Sequence, residues 1–172
     1  MLKLIQKFTV VSIIILLSSY CSIASLPENE EPSSESRIFP ISNLIEAANH
    51  GDANAQFNLG LRYNTGNDVT KDKKEAVKWF RKAADQGNAE AQNKMGWCCY
   101  HGSGIEQNAS KAIEWYRLAA LQGNTAAQYK LSRCYKDGQG VTKDPKEAAK
   151  WYALANKSTK KGYPKFEKKK SN

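Results

Sequence analysis

Histidine is scarce in this chain: its 172 residues include only His50 and His101. Cysteine is little commoner, at Cys21, Cys98, Cys99 and Cys134. Two imidazoles and one adjacent thiol pair do not make the spacing of a tetrahedral metal site, so no metal is expected. No glycine-rich loop is set before a helix to cradle phosphate, since Gly102-Ser103-Gly104 repeats the turn of its neighbours. His101 close to Cys98 and Cys99 raises a thiol–imidazole nucleophile, but no third group is available to orient the histidine. Ser158-Thr159-Lys160-Lys161 has the Ser-x-x-Lys spacing of β-lactam-handling enzymes without either companion motif. The expectation is therefore a protein that catalyses nothing and needs no cofactor.

A concentrated basic surface is also missing. The net charge of +9 divides into +2 up to Ala24, −3 over residues 25–40, +4 over 41–156 and +6 from Lys157 onward. With the excess gathered in the tail, the middle of the chain has no basic stripe and no nucleic-acid partner is expected. At 41% hydrophobic and 25% charged, the composition suits one compact domain.

Long apolar runs are absent except near the start. Lys3 and Lys7 precede the run Thr9–Leu17, and Ser22-Ile23-Ala24 then supplies small residues, the pattern of an export signal cleaved before Ser25. An uncleaved membrane anchor over Leu4–Ala24 is the alternative, its length being close to what a bilayer needs. Lipidation at Cys21 is disfavoured because the bulky Tyr20 precedes it. Residues 25–40, rich in Glu, Ser and Pro, read as a disordered linker.

What the chain has in abundance is self-similarity. Gln56, Gln92 and Gln128 are spaced by 36 residues, as are Trp79, Trp115 and Trp151. Three gapless blocks follow, over 53–88, 89–124 and 125–156. Each block reads as two helices. Asp52, Asn88 and Asn124 are placed to cap the first, and Gly66, Gly102 and Gly138 to end it. Asp72, Asn108 and Asp144 start the second; at Asp144-Pro145 the proline takes the first helical position, where its missing N–H costs nothing. Gly60 and Gly96 let helix axes approach, and Tyr63, Trp79 and Phe80 fill the space beside them. Since one hairpin cannot bury both faces, stacking is required and three repeats are near the minimum. Residues 41–51 align with the end of a second helix and are expected to cap the first repeat.

The run Ala-x-Ala-Gln-x-x-Leu-Gly-x-x-Tyr-x-x-Gly, followed by Val, Ala and Trp-Phe or Trp-Tyr, resembles the Sel-one-like repeat family, relatives of the tetratricopeptide repeats. The resemblance spans about residues 41–156. It implies an all-α, right-handed solenoid acting as an adaptor for a protein or peptide, and in bacteria an exported protein of the envelope or of host interaction. This sequence departs from the pattern at three places. Ser132 replaces a helix glycine, which is expected to loosen the third hairpin. Asp68 replaces the loop glycine seen at Gly104 and Gly140, and aspartate tolerates a left-handed backbone. Cys99 stands where Tyr63 and Tyr135 do. Family members that bridge their helices use cysteines at other repeat positions, here Gln92, Gln128, Ala84 and Ala120. Cys98, Cys99 and Cys134 are expected as free, partly buried thiols, with a Cys99–Cys134 bridge less excluded than Cys98–Cys134.

In tetratricopeptide-like stacks the first helices line a concave groove. By register this places Phe57, Leu61 and Asn64 there from the first block. The second gives Asn93, Trp97, Tyr100 and His101, and the third Tyr129, Arg133 and Lys136. Trp97 is the sharpest candidate, since its counterparts are Leu61 and Arg133 and aromatic anchors dominate binding surfaces. The alternative is that Trp97 packs on a neighbouring helix. Another class of function rests on the tail, whose seven lysines from Lys157 to Lys170 can hold an anionic membrane surface or polymer. A solvated terminus is the plainer reading. Asn108-Ala109-Ser110 and Asn156-Lys157-Ser158 are glycosylation sequons, relevant only on a eukaryotic secretory route. A monomer is expected.

Overall fold

The computed structural model describes residues 41–158, and all its regular structure is helical. The expected signal segment, the acidic linker and the lysine tail beyond Ser158 lie outside the described residues. The helices are α1 (Ile41–Asn49), α2 (Ala53–Thr65), α3 (Lys73–Asp85), α4 (Ala89–His101), α5 (Ala109–Leu121), α6 (Thr125–Asp137) and α7 (Pro145–Ser158). They pair as hairpins α2–α3, α4–α5 and α6–α7, and each first helix also packs on the second helix before it. The result is an all-α repeat solenoid.

Local chemistry sets the helix ends. The Asp52 carboxylate accepts from the Ala55 N–H at 2.6 Å, and Asn88 and Asn124 accept from Ala91 and Ala127 at 2.9 Å. Asp72, Asn108 and Asp144 cap the second helices in the same way. Each such cap contributes about 1 kcal/mol by satisfying an orphan donor. Gly66, Gly102 and Gly138 close the first helices at φ of 82°, 66° and 74°.

Stacking is fixed by the repeated glutamines. Gln56, Gln92 and Gln128 are buried and donate to the carbonyls of Ala48, Ala84 and Ala120 at 3.0–3.1 Å. Every first helix is thereby fastened to the last turn of the helix before it. α1 supplies that turn for the first repeat, and Ala48, Ala55, Leu59 and Trp79 form a small core beneath it. A larger core begins on α3 of the first repeat and runs through the second and third.

Glycine marks where the axes close. A Cβ on Gly96 would sit 2.6 Å from Cδ1 of Tyr116, and one on Gly60 2.6 Å from Cδ1 of Phe80. The third hairpin has Ser132 there. The third hairpin packs as closely as the other two, so the expected loosening is not seen, but its filling differs. Ser132 is fully buried, its hydroxyl donates to the Tyr129 carbonyl at 2.8 Å, and Tyr152 stands half-buried where Phe80 and Tyr116 are enclosed. No described repeat covers α7.

Asp68 adopts φ 59°, as the loop position demands. The same position in later repeats needs glycine for a second reason. A Cβ on Gly104 or Gly140 would collide with the carbonyl of Lys73 or Ala109 at the start of the preceding second helix. Before repeat one, α1 begins only at Ile41, the register equivalent of Val77, so no described backbone presses on Asp68.

Candidate functional site

On α2 the buried positions are Ala55, Gln56, Leu59 and Gly60. Positions i, i+4 and i+7 from Phe57 fall beside that face, and the same rows recur on α4 and α6. None of the groove residues named from the sequence is buried. Phe57 leans on Phe80 with ring centroids 5.9 Å apart, and Leu61 packs partly on the core. Asn64, Asn93 and Lys136 are half-buried, whereas Arg133 is exposed. Trp97 is 38% exposed, one of four large apolar side chains at the surface among the described residues.

The structure brings part of this set together. The Trp97 and His101 rings lie 4.7 Å apart, and Tyr100 meets His101 edge-on at 5.0 Å. Tyr100, His101 and Arg133 also share one pocket between α4 and α6. Tyr129 lies further along, with the Tyr152 ring at 6.5 Å. Phe57, Leu61 and Asn64 belong to the first repeat and do not line that pocket.

Four contributors to the pocket, Tyr116, Lys130, Cys134 and Gln139, were not among the groove residues named from the sequence. Lys130 has Lys94 as its counterpart and so reads as ordinary repeat surface. Gln139 sits in the loop after α6, and only the hydrogen bond that the Tyr100 hydroxyl donates to its Oε1 brings it to the site. Register does hold a signal for it: its counterparts are Asn67 and Ser103, so this loop position varies between repeats.

Cys98, Cys99 and Cys134 are free, and they are more deeply buried than the sequence reading expected. Burial pushes the Cys98 and Cys134 thiols up to about 11, and raises Cys99 as well. The thiolate is the nucleophile, so these environments oppose activation. Desolvation also raises Tyr100 and, more strongly, Tyr116. No group of three or more metal-capable side chains is clustered among the described residues. No described helix is long and apolar enough to cross a membrane.

Comparison with known proteins places this geometry in context. The Sel1 repeat model matches residues 53–88, 89–124 and 125–158. A Sel1 repeat protein from Oxalobacter formigenes is 37% identical, covers 70% of this chain and 92% of its own, and superposes with a TM-score of 0.65. A protective antigen of uropathogenic Escherichia coli, displaying an SLR fold, is 36% identical over 68% of this chain and 25% of its own, with a TM-score of 0.67. Cysteine rich protein B of Helicobacter pylori, 18% identical at a TM-score of 0.56, shares the fold, with 70% of this chain and 87% of its own covered. The secretory immunoglobulin A-binding protein EsiB of Escherichia coli is 46% identical over 43 residues, which is 25% of this chain. The matched stretch spans only 9% of that relative's length.

Proposed function

The chain belongs to the Sel1 repeat family, and from that premise we propose that it is an exported interaction scaffold that binds a peptide or protein partner along α2, α4 and α6. Sel1 repeat proteins are generally protein-interaction scaffolds without enzymatic activity. The bacterial relatives include a protein named for binding secretory immunoglobulin A and a protective antigen, which supports export and an envelope or host-facing setting. In this reading the export signal ends near Ala24 and the mature chain begins at Ser25.

One observation carries the groove assignment. Trp97 is 38% exposed at a position where the fold accepts Leu61 or Arg133 in the neighbouring repeats. A tryptophan with more than a third of its surface in solvent, where neither neighbouring repeat carries an aromatic ring, is what a binding anchor looks like. Tyr100 and Tyr129 extend the aromatic surface, and Arg133 and Lys136 give it a cationic end.

The test is affinity capture from native extract with three baits: the chain from Ser25, its Trp97→Ala variant, and a form ending at Asn156. A partner held by the first and third baits and lost with the second is the expected outcome. Capture that disappears with residues 157–172 and ignores Trp97 would move the function to the lysine-rich terminus.

A further inference from the structure

The pocket between α4 and α6 has a volume of about 140 Å³. Its floor is Tyr116 and Cys134, both buried, and its rim is Tyr100, His101 and Arg133. Lys130 and Gln139 complete the lining. Two permanent cations and no carboxylate therefore face one small space. Among the described residues neither cation is in an ion pair. Asp137 is near enough to raise Tyr100 and Cys134, yet it neutralises neither Lys130 nor Arg133 by contact.

The repeat supplies its own control. One block earlier, the positions of Tyr100, His101, Arg133 and Gln139 are held by Asn64, Thr65, Trp97 and Ser103. The backbone there is built from the same caps and glutamine clamps, so the solenoid requires none of these four side chains. Their concentration at the second junction is not a cost of folding.

The donor set matches a carboxylate. Arg133 presents a planar fork and Lys130 an ammonium, and a carboxylate only accepts. The Tyr100 hydroxyl donates to Gln139 Oε1, which leaves the Gln139 amide N–H groups as further donors. The volume, on the order of a few water molecules, admits a carboxyl group on a short stem and little more. We propose that this pocket receives the side-chain carboxylate of an Asp or Glu from the segment docked beside Trp97, with Arg133 as its principal partner and Lys130 as the second cation. The assignment rests on the groove reading for the segment and on the pocket's own lining for the carboxylate.

The experiment titrates the ¹⁵N-labelled full chain with three capped amino acids: acetyl-glutamate amide, acetyl-glutamine amide and acetyl-alanine with a free carboxylate. The glutamate probe should shift the Tyr100 and His101 backbone signals and the side-chain signals of Arg133 and Gln139. The isosteric glutamine probe should leave them in place. Arg133→Gln should weaken the glutamate response at least tenfold, and Lys130→Gln should weaken it less. Equal responses to glutamate and glutamine, or a response indifferent to both substitutions, would overturn the proposal. A stronger response to the alanine probe would replace the side chain with a chain terminus and overturn it too. No peptide is used, so failure here is independent of whether Trp97→Ala weakens partner capture.

Discussion

Repeats two and three align without a gap, yet they close their hairpins differently. In repeat two, Gly96 admits the Tyr116 ring against the α4 backbone, and Tyr116 is 2% exposed. In repeat three buried Ser132 takes the place of that glycine, and Tyr152 is half-buried on the last described helix. The glutamine clamp differs as well. Gln92 Oε1 accepts from Gln122 at 2.7 Å, but buried Gln128 Oε1 has no donor among the described residues. The difference teaches that the 36-residue register fixes where helices start, stop and clamp, while the filling between them adapts.

The sharpest way to break this comparison is to remove the rings. Tyr116→Ala should cost about 4 kcal/mol and Tyr152→Ala about 1, read as shifts in urea unfolding at constant slope. Comparable losses would mean that the two hairpins are packed alike. Next in size is the backbone contact. Gly96→Ala should cost about 2 kcal/mol because the ring must move, whereas Ser132→Ala, which keeps an accommodated Cβ, should cost well under 1. Near-neutral Gly96→Ala would show that the Tyr116 ring yields easily.

The thiols sharpen the contrast with the outer surface. Cys98 and Cys134 are held protonated up to about 11 in the fold, against an ordinary value of 9.0. Between these values the unfolded chain releases protons that the folded chain keeps, so stability falls as pH rises from 9 to 11. Below pH 9 this contribution is flat. A Cys98→Ala/Cys134→Ala double variant should lose much of that alkaline slope in denaturant titrations, and an unchanged slope would place the cause elsewhere.

How much was legible follows from how local each interaction is. The caps at Asp52, Asn88 and Asp144 and the left-handed Asp68 were readable because each side chain acts on its own backbone. Register also puts Phe57, Asn93 and Tyr129 in one row at half-buried positions; that a partner binds along that row is our proposal. What escaped was non-local. Gln86 and Gln122 donate to the clamp glutamines from 30 residues away, and Tyr100 meets Gln139 across 39. The collision that excludes a side chain at Gly104 comes from the preceding repeat's Lys73 carbonyl, which no local rule announces. Ser132 was visible as an oddity, but its burial and its bond to the Tyr129 carbonyl depend on the packed hairpin.

The central claim is that Trp97 serves a partner and not the fold, and one paired measurement tests it. Thermal unfolding followed by helicity should change by less than about 0.5 kcal/mol in Trp97→Ala, as for an unburdened surface position. With a captured partner in hand, the same variant should weaken binding by about 2 kcal/mol, roughly 30-fold in Kd. Lost stability with unchanged affinity would make Trp97 a structural residue and contradict the account.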